Sequence, residues 1–341
     1  MNQKTKKIRP EQVQYIGLIL VTLAIAVGFQ MVFGNVLTGA NLRVLAMNMV
    51  FEGIMAIGMT FVIIMGGIDL SVASVFAFAE ILVAKLMVEA GLPVFLAVSL
   101  TVLASMLIGA INGTLIVLLR VHPLIITLGM LLTLRGVNLA ITDGKSVSGF
   151  SDSFLYLGQG QILGVDVPIW FFAIAALVLG LLLAHHRYFR QLYFIGGSER
   201  SARFSGVNTD RVKISIYVLC STLAGCAGIM AAARYGAAHW GHGNLAELKA
   251  IAAVAVGGTD IMGGSGTMFG TVLGVIFLAV VHNVFVTSAI NPFWYDVVNG
   301  AMLLLAVLLS RMIALKNRRD LLGARQMKLD QTPKKLIVEE S

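Results

Sequence analysis

Eight ionisable residues stand inside long apolar runs or at their ends: Glu52, Asp69, Glu80, Lys85, Arg135, Glu247, Lys249 and Asp260. At the centre of a membrane helix an Asp, Lys or Arg costs roughly 2.5–3.5 kcal/mol on insertion scales. By default such groups face a cavity or a partner, and the chemistry they offer is ion or proton coupling. Glu80 and Lys85 lie five residues apart and make a poor helical pair. Asp69 and Asp260 each follow paired glycines, Gly66-Gly67 and Gly257-Gly258. An acid ahead of Leu70-Ser71 accepts backbone N–H bonds and suits the positive end of a helix dipole. Helix capping is therefore the preferred role for Asp69 and Asp260, ahead of a coupling-ion site.

Catalytic and nucleotide chemistry find no support. Gly144-Lys145-Ser146 has the end of a phosphate-binding loop, but the position of its first glycine is Leu139. Gly264 to Gly270 has the wrong spacing for a dinucleotide fingerprint, and no strand precedes it. His185-His186 and the pair His239 and His242 come with no cysteine or carboxylate set; both pairs read as solvated loop residues, and no metal site is expected. Cys220 and Cys226 share one apolar run and read as small core residues. No span carries a paired acid and base, which disfavours a membrane-embedded enzyme.

The elements that must position these residues follow from composition. The 341 residues are 58% hydrophobic and 12% charged, against about 25% charged for soluble domains. The chain is an all-α, polytopic membrane protein, because continuous apolar runs of this length satisfy their backbone in lipid only as helices. Ten spans are expected at about 13–34, 43–65, 70–90, 94–119, 123–141, 167–185, 213–233, 247–258, 267–288 and 294–313. They form a transmembrane domain over 13–314, flanked by an N-tail (1–12) and a basic C-tail (315–341). With both termini cytoplasmic, nineteen of the 25 Lys and Arg fall on the inner side. That distribution explains the net charge of +8 without nucleic acid. Trp170, Trp240 and Trp294 then fall at the outer interface. The run 247–258 is short, with the character of a half-span or re-entrant piece.

Small residues mark close packing. Gly266, Gly270 and Gly274 form a ladder on the ninth span, and Gly109 and Gly113 do so on the fourth. The stretch from Val62 to Ser74 is echoed over 254–265 through Val, Gly-Gly, Asp and Ser, as internal repeats of transporters are. The inner loop Tyr193 to Val207 is richer than a connector requires. Ser198, after Gly196-Gly197, starts a short helix and Gly206 ends it. That helix carries Glu199, Arg200, Arg203 and Ser205, and leaves Ala202, Phe204 and Val207 to a cytoplasmic partner.

Several of these stretches resemble the permease subunit of ribose-type ABC monosaccharide importers. They are Gly58-Met59-Thr60 with Gly66 to Val72; Thr127 to Met130 with Arg135-Gly136; Ile195 to Arg203 with Ser205 to Val207; Ala250 to Val254 with Gly257-Gly258; and Gly263 to Gly266 with Gly270-Thr271. The similarity runs from about 45 to 310. Ala73 stands where the family usually has Gly, and Ser198 where it has Asn.

The resemblance implies a bacterial inner-membrane subunit that is no enzyme and binds no cofactor, ATP and Mg being held by a separate cytoplasmic ATPase. It implies a periplasmic sugar-binding protein and a second permease subunit, identical or related, within the lipid bilayer. It also makes Gly196 to Gly206 the coupling helix. The runner-up readings are an ion-coupled secondary transporter using Asp69 or Asp260, and an ABC permease for a nucleoside, a branched-chain amino acid or a signalling furanone.

Overall fold

The computed structural model describes residues 10–34, 38–288, 291, 294–305 and 308. The tails, apart from residues 10–12 of the N-tail, lie outside the described residues, as does the end of the tenth expected span. Among those described, seven helices are long and apolar enough to cross a membrane. They are α1 (Pro10–Phe33), α2 (Gly39–Ile64), α4 (Val94–Leu119), α5 (Pro123–Thr142), α7 (Val167–His185), α10 (Thr209–Tyr235) and α12 (Met268–Thr287). α3 (Val72–Val88) is one turn or so shorter, and the stretch 294–305 is helical.

α10 is the centre of the bundle, packed against α2, α3 and α4. α2 is apolar all round from Gly53 to Ile64 and buried there, which fits a core helix, while its first half carries Arg43, Asn48 and Glu52. α1, α4, α5 and α7 bury one side only and turn Leu, Ile and Phe outward, the surface that lipid requires. The α4–α10 contact is close because of two glycines. A Cβ at Gly109 would fall 2.5 Å from the Tyr217 carbonyl oxygen, and one at Gly113 2.7 Å from the Ile214 Cα.

Three expectations change. The eighth run is α11 (Ala246–Val256), eleven residues long. At 1.5 Å per residue it spans about 16 Å, half of the hydrocarbon core. Gly270 and Gly274 lie on α12 and meet the Ala253 and Gly257 backbone of α11; Gly266 precedes the helix and packs on the Thr259 side chain instead. The loop after α7 holds two helices, α8 (Arg187–Gly197) and α9 (Glu199–Phe204). α8 buries Leu192 and Ile195 while its polar side stays out.

The segment between α5 and α7 forms α6 (Asp152–Gln159) and three of four two-residue strands. These are β1 (Val147–Ser148), β2 (Gln161–Ile162) and β3 (Val165–Asp166); β4 (Ala237–Ala238) pairs antiparallel with β1. Arg43 clasps this end, donating Nε and Nη2 to the two Asp166 oxygens at 2.8 and 2.6 Å. Those bonds hold the Asp166 carboxyl below the usual carboxylate range.

Candidate functional site

The membrane-depth charges resolve one by one. Lys249 Nζ donates to Glu52 Oε1 at 3.0 Å. Lys85 pairs not with Glu80 but with Glu89, at 2.6 Å and the helical i,i+4 spacing. Glu80 is fully buried and lies 2.6 Å from His242 Nδ1. His242 is therefore no solvated loop residue. Arg135 donates to three carbonyls of the same loop, those of Trp240, His242 and Gly243, at 2.9 to 3.0 Å. Together Glu80 and Arg135 draw residues 239–243 into the bundle, and α11 starts from there. Glu247 lies buried at the start of α11, in the field of Arg135.

Asp69 is fully buried. Its Oδ1 accepts the Ser71 amide at 2.9 Å and the Ser71 hydroxyl at 2.6 Å. Asn112 donates to the Ser71 oxygen at 2.8 Å, and the Cys220 side chain lies beside the carboxylate. Asp69 thus shapes the turn into α3, whose first helical residue is Val72. Asp260 makes the same local bond, accepting the Met262 amide at 2.9 Å. It caps no helix, since α12 is capped by Thr267, whose side chain accepts from the Gly270 amide.

The glycine pairs noted separately in the sequence meet at one point. Gly264 N–H donates to the Ile64 carbonyl at the end of α2, 2.8 Å away. A Cβ on Gly263 would lie 2.8 Å from the Gly66 Cα and 3.2 Å from that of Gly196. A Cβ on Gly196 would strike the Ile64 carbonyl and the Gly264 amide. The end of α2, the loop before α12 and the end of α8 are thus in backbone contact, which only glycine permits.

α9 springs from that junction. Ser198 accepts the Ser201 amide, and Gly206 follows the helix at φ +85°. Glu199 is held by Lys213 at 2.6 Å, while Arg203 reaches Asp210 at 2.6 Å and Glu199 at 3.3 Å. Ala202 is buried and Val207 half-buried, contrary to the expectation that both face a partner. The outward pair is Phe204, 81% exposed, with the Arg200 guanidinium 5.7 Å over its ring.

A second feature escaped the sequence reading. Between α2, α11, α12 and the 294–305 helix lies a cavity lined by Asn48, Glu52, Lys249, His282 and Tyr295. A neighbouring cavity shares Asn48 and Glu52 and continues to Phe76, Tyr235 and His242. The signal present in the sequence was Asn48 and Glu52 at i,i+4 on one face of an apolar helix.

A bundle of apolar helices long enough to cross a bilayer, with a half-length helix and a short capped helix at one end, is the architecture of a polytopic membrane protein. The chain belongs to the family described as branched-chain amino acid transport system / permease component, whose model matches residues 41–307. Within it the chain groups with the ribose-type permeases. It is 37% identical over 309 residues to the ribose import permease RbsC of Escherichia coli K12, covering 89% of this chain and 94% of that one. To RbsC of Bacillus subtilis 168 it is 35% identical, covering 90% and 98%. To the D-allose transport permease AlsC of E. coli K12 it is 36% identical, covering 76% and 80%. No solved structure matches the chain significantly.

Proposed function

We propose that the chain is the membrane-spanning subunit of an ABC importer that carries a monosaccharide of the pentose or hexose class across the bacterial inner membrane. The observation that carries this reading is identity of 35–37% to ribose permeases over about nine-tenths of the chain. The chain would enter the membrane as ten segments, α3 and the half-length α11 among them, with both termini inside. It would work as a pair with an identical or related permease. A binding protein would deliver the sugar from the periplasmic side, and a cytoplasmic ATPase would bind and hydrolyse ATP with Mg.

α9 would seat in that ATPase. Arg203 is committed to Asp210 and Glu199, so Arg200 and Phe204 are the residues free to touch a partner. The glycine junction would then pass motion of α9 directly to the end of α2 and the loop before α12, because backbones in contact without side chains between them have little slack. Asp69 is engaged through Oδ1 in the Ser71 turn and Asp260 accepts the Met262 amide, which favours a structural role for both over an ion-coupling site.

The test is reconstitution in proteoliposomes with the cognate ATPase and binding protein. ATP-driven monosaccharide uptake is expected. Phe204→Ala with Arg200→Glu should cut uptake and binding-protein-stimulated ATPase activity about tenfold or more while the permease still folds. Uptake by the permease alone, driven by an ion gradient, would overturn the reading.

A further inference from the structure

α8 carries more than a connector to α9 needs. One face packs on the bundle through Leu192 and Ile195, and through Phe189, whose ring meets that of Phe61 edge-on at 5.3 Å. The other face bears Arg187, Arg190 and Phe194, all exposed. Neither arginine lies within ion-pair reach of a carboxylate among the described residues. Basic and aromatic side chains on the open face of a short helix that follows a membrane span mark a helix lying in the headgroup layer. Beside it, between α7 and α12, runs a groove of about 370 Å³, within the range of small-ligand sites, about 300–1,000 Å³. Ala176, Leu177, Leu181, Phe269 and Val272 line it, with Tyr193 of α8 at one end.

The groove suits a hydrocarbon chain, not a polar solute. Both hydroxyls on its wall are already bonded. Tyr193 donates to the Gly266 carbonyl at 2.9 Å. Thr267 is bonded to the Tyr15 hydroxyl at 2.6 Å and accepts the Gly270 amide at 3.0 Å. What is left is apolar surface, open along a rim where Leu177 and Leu181 are more than half exposed. Arg190 stands one turn from Tyr193 on α8, and Arg187 three residues beyond Ala184, the last groove residue of α7. An apolar trough with two such guanidiniums beside its end matches an acyl chain joined to a phosphate. Guanidinium donates to phosphate oxygens in pairs, and basic pockets between spans on the cytoplasmic side hold anionic headgroups. We propose that the α7–α12 groove, with Arg187 and Arg190, binds an anionic phospholipid of the cytoplasmic leaflet, one acyl chain in the groove and the phosphate on the two guanidiniums. The cytoplasmic placement rests on the importer reading. Because α8 ends at the glycine junction through Gly196, the bound lipid also holds the helix from which α9 springs.

The test takes the whole importer complex, delipidated in detergent, and titrates it with phosphatidylglycerol, phosphatidylcholine or inorganic phosphate, counting bound lipid by native mass spectrometry. Phosphatidylglycerol should bind saturably and at least tenfold more tightly than phosphatidylcholine. Arg187→Gln with Arg190→Gln should remove that preference, and Ala176→Phe, which fills the groove, should weaken phosphatidylglycerol at least fivefold. Arg120→Gln with Arg211→Gln removes two other exposed arginines at the same end of the bundle and should leave binding within twofold. An equal loss in that control would mean diffuse surface attraction and would overturn the site. So would equal affinity for phosphatidylcholine, or displacement of the lipid by millimolar phosphate. Unchanged binding in Ala176→Phe overturns the place of the acyl chain. A complex that binds phosphatidylglycerol as expected, yet moves no sugar in vesicles of any composition, supports the site and overturns the importer reading.

Discussion

The two glycine–aspartate breaks, residues 64–72 and 256–267, share their local chemistry and differ in their surroundings. Each follows a helix that ends on a glycine with positive φ, Gly66 at +86° and Gly258 at +92°. In each the next residue's amide reaches back five residues: Gly67 to the Val62 carbonyl and Thr259 to that of Val254. That is a Schellman-type helix end. Each then has an aspartate accepting the amide two residues on. Asp69, however, is fully buried among Ser71, Asn112 and Cys220, whereas Asp260 is partly exposed and supports Met262, 72% exposed. The same local device serves a fixed hairpin in one place and a surface loop in the other. The first break is therefore fixed through its aspartate, and the second through the backbone contacts of its glycines.

The largest asymmetry is expected where the breaks touch. Gly263 has φ +91°, and a Cβ there would lie 2.8 Å from the Gly66 Cα. Strain and overlap each cost about 1–3 kcal/mol, so Gly263→Ala should lose about 3 kcal/mol or more in thermal unfolding of the purified permease. Gly66→Ala meets nothing closer than 3.7 Å and bears only the positive φ, worth about 1 kcal/mol. Equal losses would mean that the two loops part easily and that the junction transmits nothing.

Next comes the buried acid. Asp69→Ala strips the buried Ser71 amide and hydroxyl of their shared acceptor. Leaving buried donors unmatched costs about 2–3 kcal/mol. Asp69→Asn keeps one carbonyl oxygen and should recover most of it. If Asp69→Asn is as damaging as Asp69→Ala, the charge itself is needed and the structural account of Asp69 fails.

Much of this was legible along the chain. Apolar runs located α1, α2, α4, α5, α7, α10 and α12, and Ser198 with Gly206 bounded α9, because caps and hydropathy are local signals. The glycine pairs were visible as breaks. Their meeting was not, since Gly66, Gly196 and Gly263 are far apart in sequence. The descent of residues 239–243 was hidden for the same reason. It depends on Glu80 reaching His242, 162 residues later, and on Arg135 reaching carbonyls more than a hundred residues away. Hydropathy left α11 open between a crossing segment and a half-span, because Ala and Val look alike at half depth and at full span. Ala202 looked available for a partner since nothing local shows which side of a six-residue helix the bundle covers.

The smallest effect belongs to Asp260. Its carboxylate accepts a single amide, that of Met262, while the loop is also held by Asp260 N–H to the Ser265 carbonyl at 3.2 Å and by Gly264 to Ile64. The side-chain bond competes with water, so its loss is worth about 0.5–1 kcal/mol. Asp260→Ala should therefore melt within a few degrees of the wild type, far above Asp69→Ala, and retain ATP-driven uptake. A loss matching that of Asp69→Ala would show the second break to be as rigidly held as the first. The second break would then rest on its carboxylate as well as on the Gly263 and Gly264 contacts.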